Sequence, residues 1–548
     1  MRPESCVLWL LVCLSVSVLA SPPRDTLTRA EASRFEETSR YDDVRALLTA
    51  LAASDSSVRV TRFGHSEEGR ELPLAVLAAP PTADPAVARA SPKARVLVLA
   101  NIHAGEVEGK EAALIVARRL AGGDLRQLLN RITVLIAPIY NADGNERIST
   151  ANRPEQFGPV GGVGTRGNAR GLDLNRDAMK LESAEARSLA DLLNTWDPHV
   201  VVDLHATNGS YHGYHLTYAP TLAVGADPRI VDATRGLLDT ASRLLVDRGW
   251  RTYYYGNFTV EGHLDRERPR IDDGAGAPAW RTFDARPRFV TNGVGLRNRI
   301  AILSEAYSYL SFDRRVGVTE AFVEAVLVLA ARRASSLTAL VADVDRETSA
   351  AGRDGTLGPL GTRGQLAVRE EGAVRILVGE VDTRPHPRTG TPMKTMREGS
   401  ARQVLMQDYG RFAPVDAVLA PKAYVVPATR GMAPLIDRLA TLLGRHGVKV
   451  ERLTGPSTLH VEAVTPARVE RGVREFQGHR EVHLVGARRA ERALDVPAGS
   501  LLVPMGQPLA RLAFHLLEPT SDDGVVTWNV LDDWLADGTE VPVYRVLR

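Results

Sequence analysis

Residues 95–120 read RVLVLANIHAGEVEGKEAALIVARRL. An apolar run of strand length passes into His103-Ala-Gly-Glu106 and then into a helical pattern over 107–120. A strand apolar at successive positions is one buried on both faces, the habit of parallel sheets covered by helices. The same pattern recurs outward from this segment. Residues 132–139, 199–203 and 299–304 read as further buried strands, and 183–194, 229–246 and 319–340 as helices. Alternation of this kind predicts an α/β fold: a mixed, largely parallel sheet flanked by helices.

Each of these strands runs directly into polar residues. His103 follows the first, Asn141-Ala-Asp143-Gly144 the second, His205 the third and Glu305 the fourth. Ligands of open α/β sheets bind outside the carboxyl ends of the strands, so these endings are expected to converge. His103 and Glu106 are three apart and share a face if the chain turns there as in the first turn of a helix. His205 comes from another strand and closes a tripod. A single histidine at a strand end is ordinarily a hydrogen-bonded polar residue. Two imidazoles and a carboxylate meeting there form the donor set of a catalytic zinc, with a fourth position left for water.

HAGE at 103–106, LDLNR at 172–176, VDLH at 202–205 and LSEAY at 303–307 occur in this order. In that order they resemble the zinc metallocarboxypeptidase family, the carboxypeptidase A-like enzymes, over roughly residues 40–340. The resemblance implies one Zn²⁺ per chain held by His103, Glu106 and His205, with Glu305 as general base. It implies that Asn175 and Arg176 bind the C-terminal carboxylate of a peptide, for which a guanidinium fork is suited. Asp173 would accept from the second ring nitrogen of His103. Arg166 would stabilise the tetrahedral oxyanion, a donor whose loss costs roughly 3–4 kcal/mol; Arg153 competes for that role. One family feature is missing. The mobile tyrosine expected some twenty residues before the base has no counterpart in RTFDARPRFVTNGVG (281–295), and neither Tyr255 nor Tyr307 is at a matching position. A peptide with a free C-terminal carboxylate is the substrate so implied. Acyl groups of N-acyl amino acids and peptidoglycan stem peptides would suit the same motifs, and a catalytically dead peptide- or glycan-binding protein is the reading from another class.

The rest of the chain bounds these readings. At 548 residues it exceeds one ordinary domain. Its 68 basic and 66 acidic residues nearly cancel and form no basic stripe, which argues against nucleic acid. Arg2, the apolar run 6–18 and Val18-Leu19-Ala20 read as a signal peptide over 1–20, too short to span a bilayer comfortably. Both cysteines, Cys6 and Cys13, lie within it, so neither disulfide nor thiol chemistry is expected of the mature chain. A secreted or periplasmic protein of a bacterial branch with a C-terminal extension, without stable membrane insertion, is the expectation.

Beyond the catalytic region (21–345), the glycine-rich segment 350–363 reads as a boundary. Residues 365–548 read as a smaller α+β or β-rich accessory domain with no metal-ligand spacing. The irregular 150–171, rich in Gly, Asn and Arg, reads as a binding loop. Its G-V-G-T-R-G at 162–167 lacks the strand and helix of a dinucleotide site. His212 and His215 read as loop-shaping hydrogen-bonding residues. Neither H-E-x-x-H nor G-x-S-x-G occurs, which sets aside thermolysin-type and serine hydrolase chemistry.

Overall fold

The computed structural model describes residues 26–207, 209–258 and 279–547. The signal peptide reading lies outside them. An eight-stranded sheet is built from β1 (Val58–His65), β2 (Glu71–Leu77), β3 (Ala94–Ala100), β4 (Ile132–Ala137), β5 (Val200–Ala206), β6 (Leu216–Pro220), β7 (Thr252–Tyr254) and β8 (Ile300–Ala306), in the order β1-β2-β4-β3-β5-β8-β6-β7. The central β4-β3-β5-β8 pairings are parallel, with antiparallel neighbours β2 and β6 on either side. The α/β reading with a mixed, largely parallel sheet is therefore correct.

Successive side chains of a strand point to opposite faces, and the core divides accordingly. Val96, Val98 and Ala100 join one apolar cluster with helices α1 (Glu108–Gly122), α3 (Pro228–Val246) and α4 (Phe312–Arg332), while Leu97 and Leu99 join another with α2 (Ala184–Trp196). Every residue of β3, β4 and β5 is buried, and in β8 only Glu305 interrupts the pattern.

Two local readings change. His205 and Glu305 do not follow their strands but occupy the penultimate positions of β5 and β8, because the parallel pairing continues through Glu305 opposite His205. The helix expected over 319–340 is instead two, α4 and α5 (Ala334–Asp354), bent by 78° at Arg333. The bend keeps Leu337, Val341 and Val344 on the same core that α4 covers. No single helix among the described residues is long and apolar enough to cross a membrane.

The C-terminal part is rich in strands. A six-stranded antiparallel sheet, from Glu451–Arg452 at one edge to Arg488–Val496 at the other, packs with helices Ala433–Arg445 and Ala510–Leu517. It is not a detached body. Arg402–Tyr409 pairs in parallel with Ala279–Arg281, and Met179, Ala223 and Leu296 lie within its apolar core.

Candidate metal centre and cleft

The turn after β3 begins at Asn101, in the left-handed region at φ 64°. It tightens where the Glu106 N–H donates to the His103 carbonyl at 2.9 Å. Gly105 between them has no room for a side chain: a Cβ would sit 2.9 Å from both the Gly164 carbonyl and the Arg153 Cδ. This crowding brings the two arginines' loop against the turn. His103 Nδ1 lies 3.0 Å from Glu106 Oε1, and His205 Nδ1 lies 2.9 Å from Glu106 Oε2. One donor atom from each of the three side chains falls within 4.8 Å of the others, and all three residues are at most 4% exposed. Among the described residues, no other group of histidines and carboxylates is so disposed.

The distal ring nitrogens test whether these donors suit a metal. His103 Nε2 lies 3.1 Å from Asp173 Oδ1, and His205 Nε2 lies 3.1 Å from Asp203 Oδ2. A carboxylate only accepts, so His103 Nε2 donates to Asp173, and the nearby Asp203 charge favours a proton on His205 Nε2; each Nδ1 then faces Glu106. Lone pairs aimed at a buried carboxylate repel it unless a proton or a metal cation lies between them. The donor set therefore fits zinc, and the buried carboxylate and paired imidazoles are those of a three-ligand catalytic site. Where no metal is bound, burial raises the Glu106 carboxyl, but the charges of a protonated His103 and of Arg153 prevail and hold it well below the usual range. For His205, burial opposes protonation, while Asp203 and Glu106 raise the ring well above its ordinary value. Asp203 is the residue that the sequence reading missed. Two before His205 on one strand, it shares that residue's face, and the spacing in VDLH was its signal.

Glu305 stands beside His205 across the parallel pair, partly open to the cleft. Burial pushes its carboxyl up to about 8; nearby His205 opposes this and Glu106 adds to it. A bound divalent ion would draw that value down again. Neither upstream arginine pairs with Glu305: Arg299 binds Asp197 and Asp345, and Arg297 binds Asn194 and the His446 carbonyl.

Asp173 organises the opposite wall. Its carboxylate accepts from the Asn175 N–H at 2.9 Å, opening the turn Leu174–Arg176, and from Arg166 Nε at 3.0 Å. Burial opposes this charge, yet His103 and Arg166 keep the Asp173 carboxyl well below its ordinary range. Arg166 reaches the cleft, its side chain 42% exposed and Nη1 3.9 Å from Glu106. Arg153 is more deeply engaged, donating to Glu106 Oε1 at 2.7 Å, the Thr207 carbonyl at 3.0 Å and Ser308 Oγ at 3.2 Å. The loop 150–171 thus delivers both arginines to the centre. Asn175 Oδ1 accepts from the Val290 N–H at 2.9 Å, and the Arg176 guanidinium lies 4.2 Å above the Phe289 ring.

The three metal-site residues, Glu305, Arg166, Asn175 and Arg176 line a cleft of about 480 Å³ that also takes in Tyr255, Phe283, Phe289 and Leu303. Within the segment that lacks the expected tyrosine, Phe283 lines the cleft, and the ring of Tyr255 meets it edge-on at 5.9 Å. Tyr255, not Tyr307, supplies a phenol to the cleft; Tyr307 packs on His212, ring centroids 4.3 Å apart. His212 and His215 accept from the backbone N–H groups of Tyr214 and Arg251, in keeping with a loop-shaping role.

A parallel-sheet α/β scaffold with a two-histidine, one-carboxylate centre beside a buried glutamate defines a zinc-dependent peptide hydrolase. The family model described as zinc carboxypeptidase, Peptidase M14, matches residues 44–221. This segment is similar to the zinc carboxypeptidases of that family, and the cofactor is zinc. The match contains all three metal-site residues and ends before Glu305. Carboxypeptidase 2 of Trichophyton tonsurans is 24% identical over 540 residues, covering 95% of this chain and 89% of that protein. Carboxypeptidase D of Mus musculus is 35% identical over 148 residues, 24% of this chain and 11% of that protein. Among solved structures, a metallo-carboxypeptidase from Burkholderia cenocepacia is similar with a TM-score of 0.38 and 19% identity, covering 53% of this chain and 68% of that one.

Proposed function

We propose that this metallocarboxypeptidase is exported and removes the C-terminal residue of peptides, with Glu305 as general base. The observation carrying this reading is the register of β5 and β8, which sets Glu305 next to His205 in the lining of the cleft. His103, Glu106 and His205 would hold zinc, which would supply Lewis acidity to polarise the scissile carbonyl and lower the pKa of a water to roughly 7. Glu305 accepts a proton from the attacking water as its oxygen bonds to the carbonyl carbon. The C–N bond then breaks, and Glu305 returns the proton to the departing amine. Arg166, already oriented by Asp173, donates to the oxyanion as negative charge develops. Arg176 and the amide nitrogen of Asn175 hold the terminal carboxylate, with Phe289 beneath the guanidinium. The apolar leader at 6–18 supports export.

Blocked dipeptides, N-acyl amino acids and muropeptides offered to the purified protein test this reading. Turnover of the dipeptides is expected, and no turnover of any peptide would overturn it. The cleft also favours one class of C-terminal side chain. Tyr255, Phe283, Phe289 and Leu303 give it an apolar wall, and the acid between them, Asp284, is occupied by Arg286. A cationic side chain against this wall would find Asp284 already paired; of the other acids that line the cleft away from the metal centre, Glu481 pairs with Arg288 and Glu475 is exposed to solvent. Peptides ending in Phe or Leu are expected to exceed those ending in Lys or Arg by about a hundredfold in kcat/KM. Profiling the released residues from a peptide library checks this.

A further inference from the structure

The hairpin Arg468–Arg471/Val482–Val485 belongs to the C-terminal part, yet its connection reaches the metal cleft. Gly472, Arg474, Glu475, Phe476, Glu481 and His483 line that cleft together with the metal-site residues. Within the connection, Gln477 is held in the left-handed region at φ 52°, followed by Gly478 at φ 80°. A side chain is disfavoured at such a φ, so a glutamine retained there needs a contact that glycine could not make. The contact is present: Gln477 Oε1 accepts from the Asp173 N–H at 2.8 Å, across 304 positions of sequence. The Asp173 carboxylate holds His103, Arg166 and the Asn175 amide, so its backbone sets the turn from which Asn175 and Arg176 project.

We propose that Gln477 is a positioning residue for substrate binding: by holding the Asp173 amide it orients the Asn175–Arg176 pair toward the substrate's terminal carboxylate. The inference rests on the reading of Asn175 and Arg176 as the carboxylate anchor. It makes the C-terminal part a component of the substrate site. The connection does not depend on Gln477 for its own placement. His479 Nε2 donates to Glu182 Oε1 at 2.8 Å, Glu481 binds Arg288 at 2.6 Å, and Phe476 stacks on Trp528 with ring centroids 6.4 Å apart.

Gln477→Gly removes the acceptor and relieves the backbone, so Tm and zinc content are expected to hold. KM for a blocked dipeptide with a free carboxylate is expected to rise about three- to tenfold, with kcat nearly unchanged. Gln477→Glu keeps the acceptor oxygen and is expected to return KM close to that of the parent enzyme. Arg176→Ala, measured alongside, is expected to raise KM about a hundredfold. An unchanged KM in Arg176→Ala would overturn the anchor reading itself, and the inference with it. A raised KM there but an unchanged KM in Gln477→Gly would overturn the Gln477 inference alone. So would a KM rise accompanied by a fall in Tm that Gln477→Glu does not repair, the mark of a contact that is structural only.

Discussion

Glu305→Gln is expected to lower kcat by about 10²–10⁴-fold while the protein still binds one zinc per chain. The amide is nearly isosteric and stays in β8, so neither the sheet nor the three metal-site side chains lose a contact. What disappears is the ability to take a proton from water and return it to an amine. Elemental analysis of the purified variant beside its kinetics provides the check. Loss of zinc in parallel with activity would mean that Glu305 is a ligand and that the roles are wrongly divided.

The second large effect is expected on removing the metal. Dialysis against a chelator should abolish turnover, and stoichiometric zinc should restore it. It should also lower Tm, because a ligand bound only by the folded state stabilises it by about 2.7 kcal/mol at a hundred times its Kd. Without the metal, only protons can separate Glu106 from the two imidazoles in a site at most 4% exposed. Asp203 sharpens the expectation. Asp203→Ala leaves every metal-site side chain in place but frees His205 Nε2, and zinc affinity should fall about 10–100-fold. Competition with a graded series of chelators measures this. An unaltered affinity would deny Asp203 any part in orienting His205.

How far the sequence could be read depended on distance along the chain. His103 and Glu106 were legible because a strand, a tight turn and a helix are adjacent in 95–120, and His205 because VDLH ends an apolar run. Asp203 was legible in principle, since alternation puts it on the face of His205. Arg333 carries no Pro or Gly to announce the break between α4 and α5; packing against the core produces it. Tyr255 and Gln477 could not have been found this way. The places of Tyr255 in the cleft and of Gln477 on the Asp173 amide depend on chain crossings of 50 and more positions, and neither residue type signals metal chemistry. The C-terminal third read as an accessory for the same reason: its contribution is a loop of ordinary residues whose meaning comes from what lies beneath it.

The pairing of Arg402–Tyr409 with Ala279–Arg281 has a practical consequence for anyone shortening this protein. A fragment ending near Asp354 would leave that edge with unsatisfied peptide groups and bare Met179 and Leu296 to water. It should precipitate or assemble with itself during expression, however completely it retains the zinc ligands.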